Sequence, residues 1–172
     1  MYGQQIPPAP ACLNGQGVLI RMLDGLAFRY FWATEELREG DMDFRPAADC
    51  MSTSELQVHV LHLAVMILQT IKDAPERERY EIESTSSVRA LTLTKLEEAR
   101  EFLVTLEDDQ IAEHRVLKRD GSCYPVWNIM NGPLADALTH VGQLNSWRRL
   151  NGNPPLRANV FTGMPPVKGV DS

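Results

Sequence analysis

The chain has 172 residues, of which 44% are hydrophobic and 23% charged, a balance that supports a buried core without disulfide or metal staples. A formal net charge of -6 argues against a sequence-independent grip on nucleic-acid phosphates, and no run approaches the roughly 18 consecutive apolar residues of a membrane span. Cys12, Cys50 and Cys123 are an odd, scattered set without a CxxC pair, so neither a disulfide framework nor a cysteine zinc site is expected; the expected compartment is the reducing cytoplasm.

No internal repeat or linker interrupts the sequence, and residues 1–172 read as one domain. Met1 to Leu13 lacks a basic n-region and an apolar h-region; Pro7, Pro8 and Pro10 make it an extended arm. The first helix is expected from about Gly17 to Leu37. Val18, Leu19, Met22, Leu26, Tyr30 and Ala33 recur at intervals of three and four, with Asn14 as N-cap. A second helix opens at Ser52, which stands three residues before Glu55 in the spacing of a capping box, and runs to about Ile71. Leu56, Val60, Leu63 and Ile67 share one of its faces, while Val58, Leu61, Val65 and Leu68 share the opposite one. Such a helix is either central or covered by another subunit, and an exposed stripe of this size predicts a homodimer. The Pro-rich tail or the Ile111–Trp127 segment is the alternative cover within one chain.

Glu76 to Ser87 is charged and then Ser/Thr-rich, and reads as a loop. A third helix is expected over about Thr94–Leu106, with Leu96, Ala99, Leu103 and Leu106 inward and Lys95, Glu97, Glu98, Arg100 and Glu101 mostly toward water. Asp120-Gly121, between Val116-Leu117 and Cys123-Tyr124, suits a short hairpin. The last helix is expected from about Val126 to Leu150, kinked at Gly132-Pro133 and stopped by Asn151-Gly152. A Pro-rich tail, residues 153–172, packs back over the bundle. Four long helical patterns with almost no strand define an all-α fold, a helical bundle with a hairpin insertion before the last helix.

Four histidines, His59, His62, His114 and His140, are the most informative residues. Asp136 lies one turn before His140 on the same helix face, together with Ala137, Val141, Leu144 and Trp147. That face is expected to point inward, where a carboxylate needs a partner. A metal ion supplies one, and so does a plain Asp–His hydrogen bond at the core edge. His59 sits roughly 60° from the centre of the Leu56/Val60/Leu63 face, and His62 roughly 120°. Two histidines and a carboxylate leave open positions on zinc, nickel or ferrous iron. His114 reads as a solvated loop residue, and His62 as a surface or supporting one. No G-x-S-x-G nucleophile turn is present, and no feature lowers the pKa of the cysteines. Arg148 and Arg149 suit the C-terminus of their helix; Arg148 alternatively receives a substrate carboxylate.

The segment Asn131-Gly-Pro-Leu-Ala-Asp-Ala-Leu-Thr-His-Val-Gly-Gln143, followed by Trp147-Arg-Arg-Leu-Asn-Gly-Asn-Pro-Pro155, resembles the last helix of the DinB superfamily, whose members show H-x-x-x-H-R-G-Q there. Met51-Ser-Thr-Ser-Glu-Leu-Gln-Val-His59 resembles the start of that family's second helix. Phe31-Trp-Ala-Thr34 and Phe44-Arg-Pro46 fit the same template, so the resemblance spans roughly Gly17 to Pro155. It implies an antiparallel four-helix bundle with unusual connections, frequent dimers, and a divalent metal held by His59, Asp136 and His140, with Asp136 where the family has its middle histidine. It further implies metal-dependent chemistry on a small molecule: transfer of a low-molecular-weight thiol to an electrophile, or alternatively hydrolysis. The remaining alternative is a non-catalytic dimeric bundle in which the three residues buttress helix contacts.

Overall fold

The computed structural model describes residues 1–73, 85–118 and 120–167. Four long helices, α1 (Gly15–Thr34), α2 (Thr53–Ile71), α3 (Thr85–Val104) and α5 (Ala135–Leu150), surround one apolar core, with a short helix α4 (Asp108–Glu113) between α3 and the hairpin. α1 packs against α3 and α5, and so does α2; the two helices that follow each other in sequence are therefore diagonal. The C-terminal ends of α1 and α5 meet at Arg148, while Arg100 of α3 reaches Asp24 and Arg89 reaches Thr34, so α3 runs against α1. Val88 packs on Leu61 and Val65, and Lys72 lies 3.7 Å from Glu98, so α2 and α3 run the same way. Two helices point up and two down, joined in an order unlike that of a simple up-down bundle.

Local chemistry explains the ends. The Asn14 side chain accepts from Gly17 N–H at 3.0 Å and starts α1. Ser52 and Glu55 form the expected reciprocal capping box at α2. α1 stops at Thr34 rather than Leu37, because Glu36 adopts a left-handed conformation (φ 58°) and Arg148 takes the carbonyls of Ala33 (3.0 Å) and Glu35 (2.7 Å). Arg148 thus caps a neighbouring helix; with its Nε on the Asn153 carbonyl, its buried guanidinium has no role in receiving substrate.

α3 begins at Thr85, well before the expected Thr94, and Ser86-Ser87 are helical; the rest of the expected loop mostly lies outside the described residues. The added turns bring Val88 and Leu91 onto Leu61, Val65 and Val58. This is what covers the second apolar face of α2, which removes the reason for a dimer through that stripe. α2 is also long and apolar enough for a bilayer by length and composition, and its burial on two sides accounts for that character. The hairpin forms as expected, with β1 (Arg115–Leu117) antiparallel to β2 (Cys123–Pro125) and Gly121 at positive φ in the turn.

The N-terminal arm is not free. Tyr2, Gln4 and Pro7 bond to Asp24, Trp32 and Arg21 of α1, and Ile6 N–H donates to Gly163 of the tail. Gly3 (φ 90°) is required here, since a Cβ would sit 2.7 Å from the Ala27 carbonyl oxygen.

The crossover from α1 to α2 is anchored by Asp41. Its buried carboxylate accepts from the Arg38 guanidinium (2.9 Å) and backbone N–H (2.8 Å), and from the side-chain amides of Asn151 (2.8 Å) and Asn153 (2.6 Å). These donors, Arg38 foremost, hold its carboxyl well below the usual carboxylate range. A folded-state pKa below the unfolded value of about 3.9 means the stabilisation is full above that pH and declines as pH falls from it toward the lower folded-state value, through which it is lost. Asp41→Asn is expected to lower the melting temperature at pH 7, with a difference from the wild type that shrinks steadily from about pH 5 to pH 2. A difference that stays constant across this range in thermal melts would contradict the assignment.

Candidate metal centre

Gly132 and Pro133 set the phase of the last helix. Proline supplies no N–H, so the ladder cannot continue regularly. The chain makes a π-turn over Met130–Leu134, with Gly132 outside helical φ/ψ (-94°, -113°) and Ala135 N–H donating to Met130 five residues back. The expected helix from Val126 is thereby divided, and the regular helix α5 starts at Ala135. Asp136 falls in its first turn, where the N-terminal dipole favours a carboxylate.

From this start, Asp136 and His140 stand one turn apart and face His59 of α2. Asp136 Oδ1 lies 3.2 Å from His140 Nε2, and Asp136 Oδ2 lies 3.5 Å from His59 Nε2. The two imidazoles meet edge to face, with ring centres 4.6 Å apart. One donor atom from each residue lies within 4.8 Å of the other two. The cluster is at the bundle's edge rather than in its core: the Asp136 side chain is 47% exposed, His59 35% and His140 13%. The expected inward carboxylate is therefore corrected. α5 turns Ala137, Val141, Leu144 and Trp147 inward and leaves Asp136 on the rim, so burial does not force a partner on it. Convergence does.

His140 shows why. Its Nδ1 lies 2.8 Å from Gln143 Oε1. An amide oxygen can only accept, so with Gln143 in this orientation Nδ1 is the donor. Nε2 then meets the carboxylate in one of two ways, by donating a second ring proton to it or by sharing a cation with it. With one donor atom from each residue, the set closes to within 4.8 Å, and its two histidine nitrogens lie 3.2 and 3.5 Å from different oxygens of the one carboxylate. The donors fit a divalent ion of the zinc class, with an oriented supporting bond already in place.

Beside the cluster, Ser54, Glu55, Val58, His59 and His62 line a shallow groove of ≈ 350 Å³. Glu55 is occupied by Arg45 (2.8 Å) and by its capping box, while His62 is exposed on the groove wall. His114 ends α4 outside the cluster, and the three cysteines are unpaired and also outside it. The sequence signals the supporting bond from His140 to Gln143 only by its i, i+3 spacing.

A four-helix bundle that brings two histidines and a carboxylate together from α2 and α5 belongs to the class of bundles that build polar sites from facing helices. No family model and no curated protein matches the sequence. Solved structures do resemble the fold. A DinB-like protein from Bacillus subtilis, YjoA, superposes with a TM-score of 0.59 at 18% identity, over 77% of this chain and 92% of that one. YfiT from the same organism, described as a probable metal-dependent hydrolase with an unusual four-helix bundle topology, superposes with a TM-score of 0.62 at 13% identity, over 86% of this chain and 94% of that one. The chain has the DinB-like fold.

Proposed function

We propose that this protein is a metal-dependent enzyme of the DinB superfamily, with His59, Asp136 and His140 as ligands of one divalent ion, acting on a small molecule. The observation that carries the reading is the convergence of His140 and His59 on Asp136, at 3.2 and 3.5 Å, from two helices, with His140 Nδ1 tied to Gln143. Bound there, zinc, nickel or iron supplies Lewis acidity and acidifies a coordinated nucleophile. The chain's part is to hold three donors on two rigid helices and to leave the solvent side open.

Asp136 bears on the choice of nucleophile. A carboxylate in place of a neutral imidazole adds one negative charge to the donor set, which weakens the acidification available. A thiol, with an unperturbed pKa of about 8.5, needs a far smaller shift than water at about 15.7. That favours transfer of a low-molecular-weight thiol to an electrophile. Hydrolysis is the second reading, supported by the description of YfiT. No carboxylate beside the site is free to act as base for it among the described residues, since Glu55 is committed to Arg45. The unpaired cysteines are in keeping with a reducing cytoplasm, and a homodimer, if formed, would use a surface other than the covered face of α2.

Elemental analysis of the purified protein tests the site, with one equivalent of metal expected. Chelation should then lower the melting temperature, since an ion at a hundredfold excess over its Kd stabilises the folded state by about 2.7 kcal/mol. Cysteine with an activated aryl chloride, and a p-nitrophenyl ester in water, separate the two reactions. Metal-dependent turnover of the ester alone would overturn the thiol reading, and identical melts of loaded and stripped samples would overturn the centre itself.

A further inference from the structure

A second cleft, of ≈ 360 Å³, lies between α1, α5 and the C-terminal tail and shares no residue with the proposed metal centre. Its α5 residues, Asn145 and Arg149, lie roughly 140° and 180° round the helix from His140. The chain carries 23 acidic against 17 basic residues, yet Arg29, Arg149 and Arg157 line this cleft and no acidic residue does. Its walls include the Trp32 ring and Leu156.

The ordinary role for arginines near two helix ends is to satisfy terminal carbonyls. Here that role is filled by others. Arg148 takes Ala33 and Glu35 at the end of α1, and backbone N–H groups of Asn151 and Gly152 close α5. Arg149 uses one nitrogen on the Asn145 carbonyl. Arg29 has no hydrogen-bond or ion-pair partner among the described residues. Guanidinium groups on the rim of an apolar, aromatic-walled cleft match one ligand chemistry: a planar or tetrahedral oxyanion carried on an apolar body. The volume is at the small end for small-molecule sites.

We propose that this cleft is a binding site for a small amphipathic anion, a phosphate or carboxylate on an aromatic or aliphatic body, with Arg29 and Arg149 on the anion and Trp32 and Leu156 against the body. The site is incomplete without the tail, which supplies Leu156 and Arg157 and is held down by the Ile6–Gly163 bond.

The test is calorimetric titration with phenyl phosphate, phenylacetate and inorganic phosphate, using the protein as purified and again with chelator. Saturable binding of phenyl phosphate or phenylacetate is expected, whichever is tighter identifying the head group, and inorganic phosphate should bind more weakly. Arg29→Gln and Arg149→Gln should each weaken binding about tenfold, as the loss of a charge-assisted bond does, and leave metal content unchanged. Three results would overturn the proposal: no saturable binding of either aryl anion, binding that disappears with chelator, or affinity unchanged in the double variant. Equal affinity for inorganic and phenyl phosphate would do so as well, because the apolar walls would then contribute nothing.

Discussion

Asp136→Ala and His140→Ala are each expected to abolish stoichiometric metal binding while leaving the bundle folded. The first half follows from the donor set. Two protein ligands remain after either change, and even loss of a supporting hydrogen bond outside the ligand shell typically costs about 10–100-fold in metal affinity. Loss of a ligand should exceed the upper end of that range. The second half follows from position. Asp136 is nearly half exposed, and substitutions away from packed features usually change stability by less than about 0.5 kcal/mol; His140 is 13% exposed and loses some packing, but the face that holds the bundle is made by Ala137, Val141 and Leu144. Gln143→Leu should fall between, weakening binding about 10–100-fold without removing a ligand. Competition with a chromophoric chelator measures all three, and circular dichroism checks the fold. Full occupancy retained by both alanine variants would mean that the cluster is a set of helix-bridging hydrogen bonds.

The parts of this molecule that sequence periodicity reveals are those governed by nearest-neighbour chemistry. Asn14, the Ser52/Glu55 box and the Asp120-Gly121 hairpin turn depend on residues a few positions apart, and all three stand where spacing places them. His59, Asp136 and His140 come together as their pattern and the family resemblance imply. Burial is harder to read. Asp136 shares half of the helical wheel with apolar residues, yet it lies roughly 85° from the centre of the Ala137/Val141/Leu144/Trp147 stripe and so sits on the rim. The cover of α2's second face was also hidden, because the first turns of α3 are written in Ser, Thr and Arg. Val88 and Leu91 alone signal what those turns pack against. A helix start of this kind is decided by the partner it meets, and periodicity within the segment does not contain the partner.

The same limit conceals an ion pair that reaches into the core. Arg100 lies among Glu97, Glu98 and Glu101 and reads as part of a solvated face, while Asp24 stands within the apolar stripe of α1. In the structure Arg100 Nε donates to Asp24 Oδ1 at 2.8 Å, and the Tyr2 hydroxyl donates to the same oxygen at 2.8 Å. The Asp24 side chain is 1% exposed and Arg100 29%. Burial, with the Asp24 charge second, pushes the Tyr2 phenol far above its ordinary range, so it remains a donor throughout the usable pH range. Arg100→Met strands a carboxylate in the core with one neutral donor, and breaking a buried pair from one side costs about 3–5 kcal/mol. For a chain of this size each kcal/mol is about 2–4 °C, so a fall of about 6–20 °C is expected. Asp24→Leu together with Arg100→Met removes the charge and its need for a partner, and replacing both ends of a buried pair by apolar groups is often neutral or stabilising. The double variant should therefore melt well above Arg100→Met alone, near the wild type. Melting temperatures of the four proteins in this cycle decide it: additive losses, with the double variant the least stable, would show that Asp24 and Arg100 contribute separately and that the bond between α1 and α3 carries little.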